Sequence, residues 1–420
     1  MRISSVTMFE QSTASMNRQQ SDFLKVSQQI ASGRRVVNPS DDPQAASRAV
    51  GVDQAKAVTE QYGDARVSAR NSLAQTESVL NSVSDAITSA KTLLVQASSD
   101  TLSNVDRESV ASELKGIYET MLGQANATDG NGRYLFGGYN DSNPPYVKQG
   151  GAAVYQGDDN AREQRVDASR LMPVTENGIS IFQSVPSSAG YVAEASNANT
   201  GSVTFAGPQV TNVNDDGYGS DYRVSYDGTV ADPTYQVERF DGTDWVTTDT
   251  SGDALPSGVW ADDINAEDSL SLAFGGLAVD LKGTPAPDDE ILVARAGGET
   301  REANLFRTME EAIRVLENPV ETDADKADLR NTLNTSMRDL DNSLDNVLTV
   351  RASAGARLNE LDVIDAVGSN RTLNYEQTLS DLVDLDYNEA ISEYSLRQVG
   401  LQASQKAFVD VKGMSLFDYL

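Results

Sequence analysis

Two stretches far apart in this chain repeat apolar residues every seven positions, and that repeat limits the fold more than any other feature. Leu73, Leu80, Ile87 and Leu94 sit seven apart, with Thr76, Val83, Ala90 and Ala97 three after each. Near the other end Leu333, Leu340, Val347, Ala354 and Leu361 alternate with Met337, Leu344, Arg351 and Leu358. An a/d seam of this kind needs a helical partner to cover it. The two seams can cover one another, so the ends of the chain are expected to meet in a bundle whose core includes Leu73, Leu80, Ile87, Leu94, Leu340, Leu344, Val347 and Leu358. Arg351 is a polar interruption of the kind that fixes register.

Local signals set the helix ends. Phe9, Met16, Phe23 and Ile30 recur every seven residues and predict a first helix that stops near Ser32, because Gly33 suits the position after a helix end. Pro43 suits a first helical position with Asp42 as its cap, and a long helix over 43–99 would span roughly 85 Å. A third helix follows Ser103, carries Val110, Leu114, Ile117, Met121 and Ala125 on one stripe, and is expected to end at Asp129-Gly130-Asn131-Gly132. A short helix through Leu305, Met309, Ile313 and Leu316 stops at Asn318-Pro319. Thr322 with Asp325 then starts the next. The C-terminal seam weakens past Gly368, although Tyr375, Leu379 and Leu382 keep its phase, and Ile391 and Phe408 follow among polar residues.

The middle is of another kind. Residues 129–304 hold 22 of the 31 Gly, 9 of the 12 Pro and both Trp. Alternating Val203 and Phe205, then Tyr222, Val224 and Tyr226, then Tyr235 and Val237, read as strands with turns at Asp227-Gly228 and Asp241-Gly242. Further strands are expected at 270–274, 277–281 and 290–293, and short strands and turns around Tyr134–Tyr139, Pro144–Tyr146 and Val154–Asp158. The fold class is therefore α + β and multidomain: a long-helix bundle or coiled coil built from both chain ends, with a central β-rich domain inserted.

Composition excludes several functions. There is no His and no Cys, which removes imidazole bases, thiol nucleophiles, disulfides and zinc sites of the usual type. The balance of 33 basic and 63 acidic residues gives 33 − 63 = −30, so nucleic acid and anionic lipid are poor partners. No apolar run is long enough to insert in a membrane, and the first residues lack a cleavable export signal. Asp-Asp pairs at 41–42, 158–159, 215–216, 262–263 and 288–289 sit beside turn or cap residues and read as solvated turn acids. Asn212, Asn214 and Asp216 begin like a calcium loop, but its twelfth position is Arg223. Trp245 and Trp260 could stack on a sugar, although a sandwich core is their simpler use. Neither a cofactor nor a catalytic group is indicated.

The terminal motifs carry a resemblance. Met1-Arg2-Ile3-Ser4, the run Ile30-Ala31-Ser32-Gly33-Arg34-Arg35 and Asp41-Asp42-Pro43 resemble the N-terminal part of the bacterial flagellin family. Arg351-Ala352-Ser353 with Gly355-Ala356-Arg357-Leu358 is similar to its C-terminal signature. Tyr134-Leu135-Phe136-Gly137-Gly138, Tyr155-Gln156-Gly157-Asp158, Gly283-Thr284-Pro285 and the ending Ser415-Leu416-Phe417-Asp418-Tyr419-Leu420 resemble the branch of that family that joins hook to filament. The likeness covers about 1–185 and 270–420; where that branch has Gly-Asp after the proline, this chain has Asp288-Asp289.

The resemblance implies a structural, non-enzymatic protein that leaves the cell unfolded through the flagellar type III apparatus. It implies a ring of copies between the first hook-associated protein and flagellin, with an export chaperone on the C-terminal helix. On this reading 1–42 and 369–420 are terminal coiled-coil segments, disordered in the free monomer. Their assembly residues are Phe9, Met16, Phe23, Ile30, Tyr375, Leu379, Leu382, Ile391, Phe408, Leu416 and Phe417. Segments 43–132 and 305–368 form the helical bundle, and 133–304 the outer β domain, with 186–269 as a variable subdomain. Two other readings stand beside it: a filament subunit, and a secreted adhesin or sugar-binding module on a helical stalk.

Overall fold

The computed structural model of the protein describes residues 5–229, 232–263 and 269–413. In chain order the elements are α1 (Ser5–Ser32), α2 (Pro43–Ala97), α3 (Asn104–Ala125), β1 (Tyr146–Gln149), β2 (Ala152–Tyr155), β3 (Glu163–Asp167), β4 (Arg170–Pro173), α4 (Gly178–Phe182), β5 (Tyr191–Ala195), β6 (Thr204–Val210), β7 (Tyr222–Thr229) and β8 (Asp232–Phe240). There follow β9 (Trp245–Val246), β10 (Ser257–Val259), α5 (Trp260–Asp263), β11 (Ser269–Phe274), β12 (Leu277–Lys282), β13 (Glu290–Arg295), α6 (Leu305–Glu317), α7 (Asp323–Val383) and α8 (Tyr387–Gly413). They fall into two compact units. One comprises the residues through 66, 166–169, and those from 362 onward; the other comprises 67–165 and 170–361.

The larger unit has two cores. In the helical one Leu80, Val83, Ile87, Ala90 and Leu94 of α2 meet Leu114 and Met121 of α3, Phe306 and Met309 of α6, and Leu333, Leu340 and Val347 of α7. All eight a and d residues of the α2 seam are buried. On α7 the stripe from Leu333 to Leu361 is buried, whereas Met337, Leu344 and Leu358 are half-buried. Arg351 lies on the flank of this seam, with its Nε 3.8 Å from Glu77 Oε1 on α2. Ser103 and Asp106 form the capping box that starts α3. That helix ends at Ala125, before the expected Asp129–Gly132, because Asn126 caps it and Asp129 instead turns the following loop by accepting the Asn131 and Arg133 N–H groups.

The β core is a sandwich. One antiparallel sheet runs β10-β8-β7-β13-β5 with β9 on the end of β8, and the other runs β11-β12-β6. Tyr222, Val224, Tyr226, Val237, Ile291 and Val293 pack against Phe205, Leu272, Phe274, Leu277, Val279 and Leu281. These residues alternate with half-buried or exposed ones at the strand period. Asp227-Gly228 is not the turn: β7 runs through it, and Gly228 pairs with Pro233. Gly242, with φ 100°, does turn the chain between β8 and β9. Tyr134–Tyr139 makes turns and no strand. Trp260 is buried with its ring edge-on to Tyr226 and Tyr235, whereas Trp245 is half-buried beneath the Arg223 guanidinium.

Asp289 corrects the view of the acid pairs as solvated. It is only 2% exposed, and its carboxylate accepts the N–H groups of Thr200, Gly201 and Ala286. Asp288, with φ 68°, holds the left-handed conformation that glycine adopts most readily.

Candidate assembly surface

The smaller unit is where terminal side chains gather. α1 and α8 pack antiparallel, as their partners show: Phe9 meets Phe408 with ring centroids 5.3 Å apart, and Phe23 meets Tyr394 at 4.9 Å. Arg397 Nη1 donates to Asp22 Oδ2 at 3.1 Å between them. Gly400 lets α1 approach, since a Cβ there would lie 3.0 Å from the Gln19 amide oxygen.

The base of this pair explains the Ser-Gly-Arg-Arg motif. Gly33, with φ 69°, ends α1 in the left-handed region, and a Cβ there would sit 3.0 Å from the Tyr387 hydroxyl. The backbone then runs beside the end of α7. Arg35 N–H donates to Val383 O at 2.8 Å, and Leu385 N–H to Gly33 O at 3.1 Å. Arg35 Nη2 donates to Leu382 O at 2.6 Å, placing a cation at the C-terminal carbonyls of α7, where the helix dipole favours it. Asp41 is held below the ordinary carboxylate range by the Asn38 N–H and by Lys25. Asp42 is lowered by the Ala45 N–H it caps and by Arg35.

Past Gly368, where the seam weakens, α7 continues without a break to Val383. Gly368 instead makes room for Arg66, whose buried guanidinium pairs with Asp365 and donates to Val166 O at 3.0 Å. Arg371 Nη1 donates to Asp167 Oδ1 at 3.1 Å.

Most of the terminal residues singled out from the sequence are not buried here. Met16, Phe23, Ile30, Tyr375, Leu379, Leu382 and Phe408 are half-buried, Phe9 is 45% exposed and Ile391 54%. Leu416 and Phe417 lie outside the described residues. Among described side chains Val26 is the buried one on α1 and Ala390 the buried one on α8, and the heptad count passed over both. Leu24, Val363, Val367, Leu373, Leu396, Val399 and Val409 add large exposed apolar side chains, with Leu396 at 71%. No group of three or more metal-ligating side chains occurs among the described residues, and no described helix is long and apolar enough to cross a membrane.

The family model for the bacterial flagellin N-terminal helical region matches residues 3–141. Flagellar hook-associated protein 3 of Escherichia coli strain K12 is 34% identical over 418 residues, 99% of each chain. The chain belongs to the flagellar hook-associated protein 3 family. The protein of the same name from Salmonella typhimurium strain LT2 is 33% identical over 418 residues, again 99% of each chain. Among solved structures, FlgL of Xanthomonas campestris superposes with a TM-score of 0.63 at 28% identity, covering 78% of this chain and 99% of that one. Membership of this family matches the fold found here, helices from both ends of the chain around a central β-rich region.

Proposed function

We propose that the protein is a non-enzymatic structural part of the bacterial flagellum, joining the first hook-associated protein to the flagellin filament as a ring of copies. Family membership supports the role, and the exposed apolar surface of α1, α8 and the end of α7 is the observation that carries it. Helices with so little of their apolar area covered gain burial when neighbouring copies pack on them. In this reading segments 1–42 and 369–420 order on assembly. Phe9, Met16, Phe23, Ile30, Tyr375, Leu379, Leu382, Ile391 and Phe408 face other copies, joined by Leu416 and Phe417. Segments 43–132 and 305–368 stand as the bundle, and 133–304 as the outer β domain. An export chaperone would hold the C-terminal helix before secretion, and a chain without disulfides can be exported unfolded.

A clean deletion tests the role. It should leave hooks without filaments and send flagellin into the medium. Normal filaments on the deletion strain would remove the proposal. A ring count of copies, against thousands along the filament, separates it from a filament subunit.

A further inference from the structure

A cavity of about 620 Å³ lies in the larger unit, where the loop after α2, the start of α3, residues 202–204 and the first turns of α7 come together. Its wall includes Arg107 of α3, which is 8% exposed and has no carboxylate within ion-pairing distance among the described residues. Arg107 Nη1 donates to Asn104 Oδ1 at 3.0 Å, but its Nε has no hydrogen-bond partner. A buried guanidinium in this condition is costly, because such charges are normally paired. Arg330, exposed and also without a carboxylate partner among the described residues, lines it too. Lys326 is on the wall as well, already paired with Asp323 at 2.8 Å, and Asp100 is the other acid there. Val320 and Leu329 give it an apolar part beside polar Ser98, Ser99, Ser202, Thr204 and Asn334. In a chain of net charge −30, two arginines left unpaired around one cavity run against the general field.

We infer that this cavity binds a carboxylate carried on an apolar body, with the carboxylate between Arg107 and Arg330 and the apolar part on Val320 and Leu329. The guanidinium of Arg107 supplies the directed donor, Arg330 the second charge. A bare inorganic anion would satisfy the charges and leave the apolar wall unused.

Calorimetric titration of the full chain tests this with hexanoate, its uncharged amide hexanamide, and inorganic phosphate. Hexanoate should bind saturably at one site, and the other two should not. Arg330→Gln should weaken hexanoate binding roughly tenfold through loss of one charged contact. Arg107→Met should abolish it while keeping a cooperative melt; a variant lost to misfolding leaves Arg330→Gln to decide. Equal binding of hexanamide or phosphate, or no effect of Arg330→Gln, overturns the inference. Sedimentation at rising protein concentration identifies the source. Self-association that hexanoate disperses assigns the carboxylate to another copy of the chain, and a monomer throughout assigns it to a small molecule.

Discussion

Arg301 and Asp339 are paired inside the larger unit: the buried Arg301 guanidinium donates from Nη2 to Asp339 Oδ2 on α7. Its Nε donates to Glu194 Oε2 on β5 at 2.6 Å. One cation thus ties the segment after β13 both to the sandwich and to the long helix.

Breaking that pair on one side leaves a charge buried without a partner. Arg301→Met alone should therefore cost about 3–5 kcal/mol. Adding Asp339→Leu should restore at least half of the loss in a urea melt. A double variant as unstable as the sum of the singles would show that the two residues are not coupled.

The apolar seam gives a second test. Leu80 and Leu340 are both essentially inaccessible to solvent. Truncating either to Ala should destabilise by about 2–5 kcal/mol. Exposed Ser89, changed to Ala, should move stability by less than about 0.5 kcal/mol. Equal midpoints for the two classes would mean that the seam is not a core.

The seam was legible because its period requires burial whatever the partner. The second buried face of α7 was not. Asn331 Nδ2 donates to Val203 O at 2.8 Å and its Oδ1 accepts from Phe205 N at 3.2 Å. Thr335 Oγ1 donates to Ala193 O at 2.7 Å, and Asn346 Nδ2 to Ser180 O at 2.8 Å. Asn331 and Thr335 cover the β6 and β5 edges and Asn346 holds the carbonyls of α4, tasks that suit a polar residue. In sequence they look like a solvated helix face. β5, Tyr-Val-Ala-Glu-Ala, was missed because its first three residues are all buried and show no alternation. On α1 and α8 the heptad count does not pick out the buried Val26 and Ala390, and the contacts of Arg35 with Leu382, Tyr394 with Phe23 and Arg397 with Asp22 depend on geometry that residue spacing does not encode.

Alkaline pH should unfold the larger unit through its tyrosines. Burial pushes the Tyr222 hydroxyl up to about 12. Burial raises Tyr118, Tyr146 and Tyr226 too, with Glu310 adding to the effect at Tyr118. A raised folded value means that the neutral form is favoured in the fold. The stabilisation is complete below the unfolded value of 10.0 and is lost as pH rises through the folded values. Phenolate absorbance should therefore appear together with loss of tertiary structure above about pH 10. Smooth titration of all 15 Tyr without unfolding would contradict this. Tyr226, whose hydroxyl has no partner among the described residues, should tolerate Phe with little or no loss of stability.

The last prediction separates folding from assembly. A chain ending at Asp384 lacks α8, so Phe9, Phe23 and Asp22 on α1 lose Phe408, Tyr394 and Arg397. Every residue of the larger unit, 67–165 and 170–361, is retained. Its main melting transition should keep its midpoint, because neither the seam nor the sandwich has changed. Limited proteolysis should then trim the exposed N-terminal helix and stop near the compact unit. In the cell the same chain should fail to support filaments, and flagellin should be found in the medium. The two readouts must part company. Loss of the main transition would place α8 in the folding core. Normal filaments grown on the truncated chain would show that the exposed apolar faces of α1 and α8 are not what neighbouring copies bind.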